Sequence, residues 1–244
     1  MISSDLATQQ AQLQGKSSQE VLAWGLAEFG NQISLASSFG AEDMVLTDML
    51  AEIQPDAKIF TLDTGRLPVE TYDLIAKVQK KYPQLQIQIM FPQAEAVQKM
   101  VQTKGINLFY ESVENRKFCC HLRKIEPLTR ALVGLNAWIT GIRRDQTSSR
   151  NDMQVLEQDK EVYKLNPLID WKEVQVWDYI RSRGIPYNLL HDQNYPSIGC
   201  APCTRAIATD EDPRAGRWWW EMDNKECGLH VNAEGKLVPA KSAP

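Results

Sequence analysis

Five cysteines set a condition that the fold of this chain must meet. Cys119 is followed at once by Cys120, Cys200 and Cys203 bracket Ala201-Pro202, and Cys227 stands alone near the C-terminus. The two pairs lie about eighty residues apart, so they can share a ligand only if the chain returns to the same place. The pattern reads as four thiolates for a metal centre and one left over for chemistry. Soft sulfur ligands suit zinc or an iron–sulfur cluster. Structural zinc usually draws on two CxxC-like knuckles, and only Cys200–Cys203 has that form. On a regular helix, neighbouring cysteines point about 100° apart, so the helix at Cys119-Cys120 is expected to be distorted or to begin there. A cubane accepts adjacent ligands more readily than one tetrahedral ion does, and both options stay open at this point. The odd cysteine count argues against a disulfide framework, as do the length of 244 residues and an N-terminus with no basic-then-apolar segment.

Strand-length apolar bursts recur along the first part of the chain: Ile33-Ser34-Leu35-Ala36-Ser37, Lys58 to Leu62, Gln86 to Phe91 and Ala137 to Ile142. Helical spacing fills roughly 18–29, 41–54, 68–82, 93–103 and 120–133 between them. This alternation predicts an α/β fold, a mostly parallel sheet with helices on both faces, with ligands bound beyond the carboxyl ends of the strands. After Asn166-Pro167-Leu168 the character changes. Trp171 to Arg183 reads as one more amphipathic helix, followed by Pro- and Gly-rich loops expected to gather around a site. A net charge of −4 disfavours general nucleic-acid binding, and no apolar run approaches the roughly 20 residues that span a bilayer. No membrane association is expected, and a cytoplasmic location is.

Three polar turns fall at consecutive strand ends. Ser37-Ser38-Phe39-Gly40-Ala41-Glu42-Asp43 opens a helix directly after a strand, which directs backbone N–H groups and a positive helix end at an anion. Asp63-Thr64-Gly65-Arg66 offers a carboxylate, a hydroxyl, a flexible turn and a cation. Gly141 to Thr147 carries Arg143 and Arg144, suited to bidentate phosphate or sulfate contact. Each turn alone is ordinary; together they imply a nucleotide pocket, with Ser37, Ser38, Gly40, Asp63, Thr64, Gly65, Arg143 and Arg144 as its candidate contacts.

The segments SSFGAED, LDTGR, KFCCHLRK, GIRRDQTSSR, NPLIDW, LHDQNYPSIGCAPC, GRWWWE and ECGLH resemble the assimilatory adenylyl-sulfate and phosphoadenylyl-sulfate reductases, from about Ile33 to His230. The resemblance implies an adenine-nucleotide α-hydrolase-like sheet with a modified phosphate loop. Double-cysteine and CxxC pairs mark the branch with a 4Fe-4S cluster, which typically reduces adenosine 5′-phosphosulfate; the 3′-phosphorylated nucleotide, or both nucleotides, is the alternative. By motif, Cys119, Cys120, Cys200 and Cys203 would ligate the cluster and Cys227 would be the nucleophile. Lys124 would bridge cluster and substrate, while Arg214, Arg217 and His230 would surround the phosphosulfate. Residues 1–210 would form the nucleotide- and cluster-binding domain and 211–244 a mobile C-terminal catalytic segment. Reduced thioredoxin or a similar dithiol would be the partner, and the family suggests a homo-oligomer.

The chain departs from the family pattern in three places. It reads Leu67-Pro68-Val69-Glu70 where members often have LHPE, carries SSFG rather than SFSG, and has Arg116 where some cluster-bearing relatives have histidine. Two competing functions fit less well. An ATP-pyrophosphatase-type enzyme would need an SGGxDS loop and a basic RNA-binding surface. A non-enzymatic cluster-holding regulator leaves the ECGLH tail unexplained.

Overall fold

The computed structural model describes residues 5–147, 150–159 and 162–221. Six strands form one sheet in the order β3-β2-β1-β4-β6-β5: β1 Ile33–Ala36, β2 Lys58–Leu62, β3 Gln86–Met90, β4 Ala137–Ile139, β5 Leu156–Asp159 and β6 Val162–Leu165. All neighbours are parallel except β5, which turns back antiparallel on β6. Leu35 in the centre is in register with Ile59 on one side and Ile139 on the other.

The helices are α1 Leu6–Leu13, α2 Ser18–Phe29, α3 Ala41–Ile53, α4 Val69–Lys81, α5 Ala94–Lys104, α6 Val113–Cys120, α7 Glu126–Ala131 and α8 Glu173–Ser182. Local chemistry places their starts. Ser17 and Glu20 form a reciprocal capping box ahead of α2, and Ser112 accepts from the Asn115 N–H at the start of α6. Strand alternation then sorts the packing. Ile33, Leu35, Ile59 and Ile139 point into the larger core with apolar residues of α2, α3, α4 and α8, whereas Phe60 and Met90 point to the other face and meet Leu128 of α7.

The expected parallel α/β sheet with helices on both faces is therefore present. Three details differ from the sequence reading. The segment 120–133 is not one helix: α6 begins at Val113, and a wide π-type turn over His121–Ile125 separates it from α7. Strand β4 stops at Ile139, because Thr140 and the following loop turn toward Asn166 and Glu42. The β5-β6 hairpin and α1 carried no clear periodicity in the sequence. Among the described residues, no helix is long and apolar enough to cross a membrane.

Candidate active site

The chain leaves β1 in one direction toward β2 and β3 and returns on the opposite side as β4, so β1 marks a switch in strand order. A crevice opens there beyond the carboxyl ends of the strands. It is a cavity of ≈ 780 Å³ lined by Ser37, Ser38 and Gly40 from the β1 turn, Phe60 and Leu62 from β2, Trp138 from β4, and Lys124, Arg143, Arg214 and Arg217. Polar and cationic groups occupy one part of the lining, and aromatic and aliphatic ones the floor.

The β1 turn is tightly held. Ser37 N–H donates to the Phe60 carbonyl at 2.9 Å, and the Ser37 hydroxyl accepts from the Phe39 N–H at 3.1 Å. Phe39 sits in the left-handed region at φ 58, unusual for a bulky side chain, and its ring is fully buried. Ser38 donates to Asp43 twice, from its N–H at 2.6 Å and its hydroxyl at 2.8 Å. Burial pushes the Asp43 carboxyl up to about 6, against the pull of these donors. Glu42 next to it accepts from Arg143 Nε and from Gln146 Nε2, both at 2.9 Å.

Gly141 must be small because a Cβ there would lie 2.6 Å from Asp43 Oδ1, so the third turn packs directly on the first. The two arginines of that turn part company. Arg143 is buried and lines the cavity, whereas Arg144 turns away, donating to the Met153 carbonyl at 2.9 Å and pairing with Asp170. Arg214 and Arg217 converge on Ser197 Oγ, at 3.5 and 3.2 Å.

The second predicted turn faces a different place. Asp63 accepts from Gly65 N–H at 2.7 Å and from Tyr72 Oη at 2.9 Å, and Gly65 supplies the φ of 70 that the turn requires. Thr64 Oγ1 lies 3.1 Å from Cys200 Sγ, and the Thr64 carbonyl accepts from Arg123 Nη1 at 2.5 Å. Asp63, Thr64 and Gly65 thus stand on the cysteine side and do not line the large cavity.

The two cysteine pairs meet. Cys119, Cys120, Cys200 and Cys203 form no disulfide and surround a void of ≈ 20 Å³ that Arg66, Arg116, Arg123 and Lys124 also line. The helix neither begins nor is distorted at Cys119-Cys120 as expected: both close the regular α6, and the π-type turn starts directly after Cys120 and carries Arg123 and Lys124. The other pair is pinned by Ala201 N–H to the Arg66 carbonyl at 2.8 Å and by Trp218 N–H to the Cys203 carbonyl at 3.2 Å.

Burial pushes the Cys203 thiol up to about 12 and raises that of Cys119 too. Buried thiols of this kind are poor nucleophiles, and a metal would have to stabilise their thiolates. Several buried donors nearby have no acceptor: Trp218 Nε1, Trp220 Nε1, Arg123 Nε and Arg217 Nε. Such unpaired N–H groups beside four sulfurs fit a sulfide-rich core, which accepts hydrogen bonds where a bare ion would not.

Lys124 is, among the described residues, the one side chain that lines both the thiol void and the large cavity. Cys227 and His230 lie outside the described residues. Of the tryptophan run, Trp218 is wholly buried beside Cys203, and Trp219 is 39% exposed.

Sequence reasoning passed over Glu42, Ser197, His191 and the apolar floor of Phe60, Leu128 and Trp138. His191 lines the cavity with Nε2 buried and unpartnered, and burial holds its imidazole below the usual range. Glu42 lies in SSFGAED, and His191 and Ser197 in LHDQNYPSIGCAPC, so membership of those motifs was the signal available for these three. The others are ordinary strand and helix residues whose position depends on the tertiary fold.

An open, mostly parallel sheet with a crevice at its switch point is an adenine-nucleotide α-hydrolase-like fold. The family model of the phosphoadenosine phosphosulfate reductase domain matches residues 32–206, and the chain belongs to this family of reductases. It is 50% identical over 212 residues to an adenosine 5′-phosphosulfate reductase of Burkholderia cepacia, covering 84% of each chain. It is 43% identical over 243 residues to the enzyme of that name from Pseudomonas aeruginosa, covering 96% of this chain and 88% of the relative. The crystal structure of phosphoadenylyl-sulfate reductase from Candida auris, in a phosphate complex, superposes with a TM-score of 0.70 at 31% identity, over 82% of this chain and 98% of that one.

Proposed function

We propose that this chain reduces adenosine 5′-phosphosulfate to sulfite and AMP, in the assimilation of sulfate toward cysteine. The observation that carries this reading is the junction at Lys124, where one ammonium serves both the four-thiol void and the nucleotide cavity. The relatives named for this substrate, at 43–50% identity over most of the chain, support the choice of nucleotide.

The cavity floor takes the adenosine, and the β1 turn with Ser37, Ser38 and Gly40 takes the α-phosphate. Arg143 supports that turn through Glu42. Lys124, Arg214 and Arg217 face the sulfate, and His230 joins them from the C-terminal segment. Cys227 thiolate attacks the sulfur; the S–O bond breaks, and its electron pair leaves with the phosphate oxygen of AMP. Cations gathered at the sulfate lower the cost of the approach between two anions. The product on the enzyme is a cysteine S-sulfonate. A dithiol of the thioredoxin type then attacks Cys227 Sγ and expels sulfite with the S–S bonding pair. Its second thiol resolves the mixed disulfide, so both electrons come from the dithiol.

Cys119, Cys120, Cys200 and Cys203 would hold a 4Fe-4S cluster, which when bound supplies a fixed negative centre that orients the neighbouring cations. Thr64, which lies against Cys200, and the unpartnered Arg123 Nε and Trp218 Nε1 would be available to it as hydrogen-bond donors. Asp63 and Gly65 shape the turn that presents Thr64, and Arg144 braces the loop that carries Arg143. Residues 1–210 form the nucleotide- and cluster-binding body, and 211–244 the segment that delivers the nucleophile. Thiol-based turnover suits a reducing cytoplasm.

The test is Cys227→Ser, assayed for sulfite release from adenosine 5′-phosphosulfate with reduced thioredoxin. Turnover should vanish while AMP binding and cluster absorbance persist; normal activity would refute the assignment. Because the Candida auris structure is that of a reductase named for the 3′-phosphorylated nucleotide, kcat/KM on both nucleotides belongs in the same assay.

A further inference from the structure

Four cations line the thiol void, and their partners sort them. Arg66 donates from Nη1 to the Ile106 carbonyl at 2.6 Å and from Nη2 to Asn107 Oδ1 at 3.1 Å, and Arg123 donates from Nη1 to the Thr64 carbonyl at 2.5 Å. These acceptors are neutral, so none of the three bonds cancels a charge. Lys124 brings another cation to the same wall.

Arg116 differs. Its guanidinium forms a bidentate pair with Glu221, Nε to Oε1 at 2.8 Å and Nη2 to Oε2 at 2.7 Å. The side chains are only 7% and 4% exposed, so water and salt screen neither charge well. A buried pair of this kind contributes little net stability, because desolvation offsets most of the attraction. It does change the field: toward the void the pair presents a dipole in place of a cation. A tightly held turn delivers the carboxylate. Trp218 N–H donates to the Cys203 carbonyl at 3.2 Å, Glu221 N–H donates to the Trp218 carbonyl at 2.9 Å, and the Arg116 guanidinium lies 4.6 Å from the Trp218 ring centroid. Trp218 adopts φ 42, a conformation that a bulky residue keeps only where its surroundings impose it. The backbone is thus strained at the residue that ties Cys203 to Glu221.

We propose that Glu221 is a positioning residue of the four-thiol centre: by cancelling Arg116 it limits the net positive charge there and makes a bound cluster harder to reduce. This inference rests on the cluster assignment made above. The potential of an iron–sulfur cluster follows the charge and hydrogen bonding around it. Cations gathered for the sulfate also favour electron uptake by the cluster, and the proposed reaction takes its electrons from a dithiol instead. Glu221 offsets one of those cations while leaving the guanidinium in place against Trp218. A unit charge within about 10 Å, at an effective dielectric constant of about 20, moves such an equilibrium by about tenfold.

The experiment compares the cluster-loaded parent with Glu221→Gln, Arg116→Gln and the double variant. Each is titrated with dithionite through mediator dyes, the midpoint potential is read from cluster absorbance, and sulfite release from adenosine 5′-phosphosulfate is assayed in parallel. Glu221→Gln, which leaves a buried cation without its carboxylate, should favour the reduced form by about tenfold, about 59 mV upward for one electron. Arg116→Gln should shift the potential downward by a similar amount, and the double variant should return to within about threefold of the parent. Any pattern other than opposed shifts in the two single variants overturns the inference, because a mere brace for α6 is loosened whichever partner is lost. Should Glu221→Gln hold no cluster, the double variant decides. A cluster at the parent's potential upholds charge cancellation, and a lost cluster or a displaced potential overturns it. A parent without 4Fe-4S absorbance fails the cluster assignment and overturns this inference with it. A parent that holds the cluster but releases no sulfite fails the functional reading alone, and the opposed shifts still decide the role of Glu221.

Discussion

Asp43 offers a prediction whose size follows from the structure. Its carboxyl is wholly buried at the start of α3, where burial, reinforced by neighbouring Glu42, pushes it from 3.8 to about 6 despite the donors from Ser38. Between those two values the native protein holds a proton that the unfolded chain has released. Stability therefore falls as pH rises through that window and stays lower above it, by ~3 kcal/mol at about 1.4 kcal/mol per pH unit. Asn imitates the protonated carboxyl in shape and charge, so Asp43→Asn should match the parent at pH 4 and exceed it by up to ~3 kcal/mol at pH 7. For a chain of this length that is about 6–12 °C in Tm. Urea and thermal unfolding of both proteins at pH 4, 5, 6 and 7 measure the difference directly. An advantage that does not change between pH 4 and 7, or none at pH 7, would refute the idea that the native carboxylate is penalised.

Two further outcomes follow from the cation side of the site. Lys124→Ala should lower kcat/KM on adenosine 5′-phosphosulfate by about 100-fold, the scale for losing one preorganised charge, while AMP affinity changes little; steady-state sulfite release and AMP titration measure both. Gly199→Ala would place a Cβ 2.3 Å from Arg217 Nη2, so the guanidinium must leave Ser197. We expect KM for the phosphosulfate to rise several-fold with AMP affinity unaltered, and an unchanged KM would show that Arg217 does not contact the sulfate.

The strands that bury both faces were legible because their composition is decisive: Ile33-Ser34-Leu35 and Ile59-Phe60 leave little alternative to a central parallel strand. The β5-β6 hairpin was not, since Glu157 and Lys164 pair across it at 3.3 Å and interrupt any apolar alternation. The start of α6 was hidden in the same way, as Glu114-Asn115-Arg116-Lys117 is a polar run between Val113 and Phe118. Within the site, the sequence indicated that the cysteine pairs meet, but it placed the helical distortion at the first pair, whereas the wide turn begins just after it. It gave no means of telling Arg143, which faces the cavity, from Arg144, which does not, because neighbouring residues on a turn diverge according to backbone angles fixed elsewhere. Partners separated by a hundred residues, such as Arg143 with Glu42 or Arg116 with Glu221, leave no trace in local spacing.

The wide turn over His121–Ile125 has a consequence for how this part of the chain tolerates change. The wide turn takes up one extra residue, so α7 keeps nearly the phase it would have after an uninterrupted helix one residue shorter. Deleting a single residue there should therefore restore the α-helical turn and leave Leu128 against Phe60 and Met90, while redirecting the residues of the turn itself, Arg123 and Lys124 among them. Substitutions here alter one contact at a time, whereas a change in residue number moves the two cations of the turn together and spares the helix beyond it. The count of residues between Cys120 and Leu128 thus governs where Lys124 points, independently of the identity of its neighbours.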